Sequence, residues 1–322
     1  MKRLKIDEFE FDIDKVNKKI EEYNAKKILL QVPDGLKRNV KKIIDSLDGE
    51  VDLWGGTNYG ACDLPSSIDG YDILVHVGHS KIPNLDIDYP VIYMEGRSTE
   101  LKDLPEELFD LLGNRVALYA SVQYIDHLEK ISEKLNEKGF NVKIGEGDDR
   151  IKYPGQVLGC NYSVKLDDMD SHLYVGTGDF HPLGLSLSLN KNVIKFNPLT
   201  GDISQTGEKK ERILRKRFAV ITNAEECNNI GIMVSTKKGQ RRTELAKSLS
   251  EKCSKKCKIA LFDEIDSNLI DDFQWGCIVN TACPRIALDD SIKFKTRVLT
   301  PVEFLITIGE LNWENWEMDE IS

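Results

Sequence analysis

The chain has 322 residues, of which 40% are apolar and 30% charged, with a formal net charge of −10. That length supports two or three domains with proper cores, and the balance excludes a disordered or membrane-embedded chain. The acidic excess argues against general affinity for nucleic acid or anionic lipid, so neither nucleic acid nor membrane is expected as a partner.

The opening segment, Met1 to Glu8, has no apolar core of a secretory signal, and no stretch approaches about 18 uninterrupted apolar residues. A cytoplasmic protein is expected, whose seven cysteines are thiols or metal ligands rather than a disulfide frame. A strand-like run, a turn and an amphipathic helix then occur three times. The first is Ile28 to Val32, then Pro33-Asp34-Gly35 and a helix to about Leu47 with Leu36, Val40, Ile43 and Ile44 at helical spacing. The second is Val116 to Tyr119 and a helix carrying Ile125, Leu128, Ile131 and Leu135. The third is Ile230 to Val234, then Lys237-Lys238-Gly239-Gln240 and a helix carrying Leu245 and Leu249.

The first two repeats continue alike. Ile73 to His79 resembles Leu173 to Asp179, and the apolar runs Val91 to Met94 and Val193 to Phe196 follow. Short apolar strands alternating with helices predict parallel sheets built from βαβ units. The expectation is an α/β protein of three homologous small domains, 1–110, 111–215 and 216–322, in a pseudo-threefold arrangement. Each would be a short parallel sheet flanked by helices. The third repeat fits least well, because Cys283 follows a later run, Gly276 to Thr281. The acidic segment from Glu310 to Ser322, with Trp313 and Trp316, reads as an appended tail.

One cysteine falls in each repeat in a similar setting: Cys62 after Gly60-Ala61, Cys160 after Leu158-Gly159, and Cys283 after Thr281-Ala282. Each reads as a strand running into a tight loop, with a small residue that lets the backbone crowd a bulky group. Ligands collect at the carboxyl ends of parallel strands, so three such ends could bring three sulfurs together. One buried thiol is ordinary; three in matched positions point to ligands. Without local C-x-x-C pairs, an iron–sulfur cluster with one open iron fits better than structural zinc. Cys253 and Cys257 could share a helix face as a chelating pair, but their lysine-rich setting favours a solvated helix end. Cys227 and Cys277 have no supporting pattern and read as structural. Glycine-rich turns at Gly78-His79-Ser80 and Gly176-Thr177-Gly178-Asp179-Phe180-His181 could offer backbone donors, imidazoles and a carboxylate to a small ligand. Gln240, with Arg241 and Arg242 at a helix start, suits a carboxylate or equally a solvated basic helix end, and Arg285, close to Cys283, could pair with a carboxylate or offset negative charge there.

Taken together, several segments resemble one family. They are Gln31-Val32-Pro33-Asp34-Gly35-Leu36, Tyr59-Gly60-Ala61-Cys62, Val75-His76-Val77-Gly78-His79-Ser80 and Leu158-Gly159-Cys160. Gly178 to Gly184, Gly239-Gln240-Arg241 and Ala282-Cys283-Pro284-Arg285 complete the set, in order along most of the chain. The family is that of the archaeal diphthamide-biosynthesis enzymes, atypical radical S-adenosylmethionine (SAM) 3-amino-3-carboxypropyl transferases. The resemblance implies that Cys62, Cys160 and Cys283 ligate a 4Fe–4S cluster in a homodimer. It implies reductive cleavage of SAM between sulfur and the methionine γ-carbon, with transfer of the aminocarboxypropyl group to a histidine of translation elongation factor 2. A reductant or electron-donor protein is then a further partner. On this reading Asp179, Gln240 and Arg285 hold the amino and carboxylate groups of SAM. Gly78, His79, Ser80, Gly178 and His181 line the cofactor, with His79 and His181 touching SAM or the substrate histidine. The competing expectations are a quinolinate-synthase-like Lewis-acid enzyme and a non-catalytic cluster-bearing redox or scaffold subunit.

Overall fold

A computed structural model describes residues 2–322 of the chain. It begins with an element that the repeats did not announce. Strands β1 (Arg3–Ile6), β2 (Phe9–Asp12) and β7 (Gly96–Ser98) form a small antiparallel sheet in the order β1-β2-β7. Helix α1 (Ile13–Glu22) follows, started by Asp12, whose side chain accepts from the Lys15 amide, and burying Ile13, Val16 and Ile20.

The first parallel sheet is made of β3 (Lys27–Gln31), β4 (Glu50–Leu53), β5 (Ile73–Val77) and β6 (Val91–Met94). Its order is β4-β3-β5-β6, and all three pairings are parallel. β5 is buried along its whole length, which is why it reads as an apolar run broken only by His76. The expected helix after β3 is shorter than its periodicity implied: Asp34–Asn39 is a 3-10 turn, and α2 covers only Val40–Ile44.

The second sheet comprises β8 (Arg115–Ala120), β9 (Asn141–Lys143), β10 (Ser171–Val175), β11 (Ile194–Phe196) and β12 (Ile203–Gln205), in the order β12-β11-β10-β8-β9. Helices α3 (Glu106–Leu111) and α4 (His127–Glu137) belong to it, and α4 buries Leu128, Ile131 and Leu135 at the predicted spacing. Helix α5 (Phe180–Leu189) is apolar all round, and α6 (Gly207–Ala224) runs unbroken through residue 215.

The third sheet comprises β13 (Asn229–Ser235), β14 (Lys256–Phe262), β15 (Cys277–Asn280) and β16 (Arg297–Leu299), ordered β14-β13-β15-β16 and wholly parallel. Around it lie α7 (Thr243–Lys252), α8 (Ser267–Asp271), α9 (Arg285–Leu288) and α10 (Pro301–Thr307). A capping box between Thr300 and Glu303, with proline at the first turn, starts α10.

Each four-stranded parallel set thus runs second, first, third, fourth. This order places a topological switch between the first and third strands, the place where ligands bind in open α/β sheets. By contact density the chain forms two compact units: Met1–Val157, Ser163–Gly178 and Val193–Ser204 in one, and Leu158–Tyr162, Asp179–Asn192 and Gln205–Ser322 in the other.

Not all seven cysteines are thiols or metal ligands, contrary to the expectation from sequence. Cys253 and Cys257 are joined in a disulfide, with Cα atoms 6.5 Å apart. They do not share a helix face, because Cys253 is the extended C-cap of α7 and Cys257 already lies in β14. The segment after Glu310 is not a loose appendage either: Met318 and Ile321 are buried in the second unit.

Candidate metal and cofactor site

In the first unit the switch point falls between β3 and β5, and Gln31 is the register partner of His76 at its carboxyl end. The Gln31 amide nitrogen donates to the carbonyls of Thr57 and Asp63, both at 2.7 Å. Asp63, next to Cys62, closes the turn by accepting from the Tyr59 amide at 2.8 Å and the Thr57 hydroxyl at 3.1 Å. Asn58 spans the switch point, donating to the carbonyls of Gln31 and Val77. The loop bearing Cys62 is therefore tied to two strand ends by buried amides, each satisfying backbone groups that water cannot reach.

The Gly78-His79-Ser80 turn continues directly from the carboxyl end of β5. Gly78 sits at φ +91°, where a side chain would be strained, and a Cβ there would stand 3.2 Å from the Pro33 ring. Ser80 is buried and accepts from Gln156 at 2.7 Å. His76 Nδ1 lies 2.7 Å from Gln31 Oε1, and His76 Nε2 lies 3.0 Å from His79 Nδ1. Burial pushes the His76 pKa well below its ordinary value, and burial also takes that of His79 down to about 4. Gly178 turns at φ +70° after β10 in this unit, with open space where a Cβ would be.

In the second unit the loops of Cys160 and Cys283 are fastened to each other. Cys160 sits in a tight turn bridged by Leu158 and Asn161. A Cβ on Gly159 would lie 2.5 Å from the Phe180 ring, so any larger residue before this cysteine would push that ring aside. Cys283 follows β15, and Asn280 fixes its loop by donating to the Cys283 carbonyl and accepting from the Ala282 amide. Arg285 is buried, stacked with its guanidinium 4.0 Å from the Phe180 ring centre and paired with Asp289 at 2.6 Å. It also donates to the Phe180 carbonyl, while its Nη1 is buried without a hydrogen bond.

Arg242 ties the two loops together. Its guanidinium donates to the carbonyls of Thr281 and Ala282 and grips Asp319 through two bonds of 2.7 and 2.6 Å. Beyond Asp319, the Ile321 amide donates to the Cys160 carbonyl at 2.8 Å, Asn161 donates to the Ile321 carbonyl, and Glu320 accepts from the Tyr162 amide. The acidic tail thus closes the Cys160 loop. Its carboxylates gave the signal in sequence, but their partners lie too far along the chain to be read.

The other expected residues are placed more plainly. Asp179 forms an ion pair with Lys209. His181 packs edge-on against Phe180 at 4.9 Å, and Gln240 closes the 3-10 turn Lys238–Gln240 after β13. Cys227 and Cys277 are buried together in the core of the third sheet, as read from sequence, and burial with a neighbouring thiol pushes Cys277 upward. Among the described residues no three His, Cys, Asp or Glu side chains form a ready single-ion site.

Like-ordered parallel sheets flanked by helices define the class as a mixed α/β protein. Residues 32–317 match the family model of diphthamide synthesis proteins. The chain belongs to that family. It is 36% identical over 317 residues to the 2-(3-amino-3-carboxypropyl)histidine synthase of Pyrococcus horikoshii, covering 94% of this chain and 91% of that one. The synthase of the same name from Methanocaldococcus jannaschii is 30% identical over 347 residues, covering 97% and 93%. The crystal structure of Dph2 from Pyrococcus horikoshii with a 4Fe–4S cluster superposes with a TM-score of 0.87 at 33% identity, covering 99% of this chain and 95% of that one. Among the described residues no helix is long and apolar enough to cross a membrane.

Proposed function

We propose that this protein carries out the first step of diphthamide biosynthesis in the cytoplasm. It would cleave SAM between sulfur and the γ-carbon and place the 3-amino-3-carboxypropyl group on a histidine of translation elongation factor 2. The observation that carries this reading is the chain-long match to archaeal synthases, together with one cysteine loop in each of three like-ordered sheets. The reading takes the chain as three α/β domains, 1–110, 111–215 and 216–322, in a pseudo-threefold arrangement, acting as a homodimer with a reductant protein as donor.

The donor set fits a 4Fe–4S cluster: three thiols on rigidly held loops, with the Gly159 backbone pressed against Phe180 where a Cβ would collide. Cys62, Cys160 and Cys283 would hold it. When bound, such a cluster supplies an electron and one iron with an open position. The residues of the chain then do the rest. Buried amides hold the Cys62 loop, while Arg242, Asn280 and the tail hold the other two, so each loop is held within its own unit. Which carbon of SAM reacts is a matter of positioning. Arg285 can offer Nη1 to the SAM carboxylate, since its other nitrogens serve Asp289 and Phe180. Gln240 is a second donor, and Asp179 could share its carboxylate between Lys209 and the SAM ammonium. Gly78, Ser80 and Gly178 shape the turns, and His79 and His181 face the reacting groups.

The test is anaerobic purification, reduction with dithionite, addition of SAM and chromatography for methylthioadenosine. Its formation, and its loss in Cys62→Ala, Cys160→Ala and Cys283→Ala, are expected. 5′-Deoxyadenosine as product, or no SAM turnover from a fully loaded protein, would sink the reading.

A further inference from the structure

The imidazoles at the first switch point are locked in a defined proton pattern. The Gln31 atom facing two backbone carbonyls at 2.7 Å must be its NH2 group, because carbonyls only accept. Its Oε1 therefore faces His76, and the His76 Nδ1 only 2.7 Å away must carry a hydrogen. His76 is fully buried, so it is neutral and its Nε2 is an acceptor. His79 Nδ1, 3.0 Å from that acceptor, must then be the donor. A neutral His79 is left with a bare Nε2, which has no hydrogen-bond partner among the described residues. The ring is half-buried at the carboxyl ends of β3 and β5, one network away from the Cys62 loop.

The proposed reaction has a proton to dispose of. Substituting the imidazole ring of the substrate breaks the sulfonium S–Cγ bond and one ring C–H bond and forms one C–C bond. Sulfur keeps the electron pair of its bond and leaves as a neutral thioether, and the ring hydrogen leaves as a proton. The exchange is redox-neutral overall and yields one proton per turnover.

Building on that reading of the reaction, we propose that His79 Nε2 takes this proton, and that Gln31 and His76 are positioning residues that keep it unprotonated and available. A donor in place of that lone pair would block the role, so the amide of Gln31 governs a base two rings away. The low basicity of His79 suits this task, since the ring-substituted precursor sheds its proton readily and His79 is empty at neutral pH.

Two measurements decide it. Two-bond ¹H–¹⁵N spectra of the full chain with labelled histidine should show both His76 and His79 as the Nδ1–H tautomer at pH 7. An Nε2–H tautomer on His79 overturns the proposal whatever the activity. In Gln31→Met, which removes the acceptor of His76, part of the His79 population should move to Nε2–H. A spectrum unchanged there would remove Gln31 from the mechanism. With reduced, cluster-loaded enzyme, SAM and elongation factor 2, His79→Gln should raise the ratio of thioether released to histidine modified by at least about 10-fold. An unchanged ratio overturns the base role. A wild-type protein that releases no thioether overturns the synthase reading, and the base role with it, while the spectrum alone still decides the tautomers.

Discussion

The loops of Cys62 and Cys283 solve the same problem with opposite chemistry. Around Cys62 the reinforcing groups are chiefly neutral: Gln31 and Asn58, buried and bonded largely to backbone, and two imidazoles linked in a chain to Gln31. Around Cys283 and its neighbour Cys160 the groups are charged: Arg242 with Asp319, Arg285 with Asp289, and Glu320 on the Tyr162 amide. A neutral network loses single hydrogen bonds when cut, whereas a cut ion pair leaves an unanswered charge. The second unit should therefore be the more fragile to single substitutions and the first the more sensitive to proton pattern.

The sharpest way to break this contrast is Arg242→Ala. It strands the buried Asp319 carboxylate and frees the Thr281 and Ala282 carbonyls, and should cost about 3–5 kcal/mol in denaturant unfolding. A loss below 1 kcal/mol would show that the tail is not held this way. Next is Gly184→Ala. Its Cβ would fall 1.8 Å from the Tyr162 hydroxyl and 2.7 Å from Arg285 Nη1, both on buried side chains, so a loss of about 2 kcal/mol is expected. Unchanged stability would mean that α5 can slide away from Arg285.

The first unit should respond to acid instead. His76 and His79 titrate below their ordinary range in the folded chain, so the unfolded chain binds their protons first as pH falls. Stability should decline from about pH 6.5 toward pH 4, by at most about 1.4 kcal/mol per pH unit for each imidazole. The double variant His76→Gln, His79→Gln should flatten that part of the curve. The smallest effect belongs to Asp72, which accepts from the Lys26 and Lys27 amides, each at 2.8 Å, and whose pKa those bonds depress. Its contribution is present above the usual carboxylate pKa and lost as pH falls below it. Asp72→Asn should lower Tm slightly at pH 7 and not at pH 2.

Much of this was legible locally. The buried β5 and the spacing of Leu128, Ile131 and Leu135 are short-range signals, and the structure places both as read. The first helix misled because Leu36 and Val40 keep helical spacing across what is mostly a 3-10 turn. The edge sheet was missed although Leu4, Ile6, Phe9 and Phe11 alternate with polar residues, a strand period in segments of only four residues. Of the site, the three cysteines stood out by repetition. Gln31 was quoted only as part of a motif, because its role depends on Asp63 and His76, 32 and 45 residues away. Arg242 stood beside a favoured glutamine, and nothing near it announced Asp319, 77 residues on.

The bond from Ile321 to the Cys160 turn also sets an order of events during synthesis. Asn161 meets its partner 160 residues later in the chain, so a ribosome must carry translation past Ile321 before that turn can be latched. Domains emerge and fold from the N-terminus. The Cys62 network, whose members are all complete by His79, is finished early, whereas Cys160 waits on a loose turn through half of the chain's synthesis. Closure of the Cys160 turn is thereby a late act of folding, timed by the arrival of a short acidic strap.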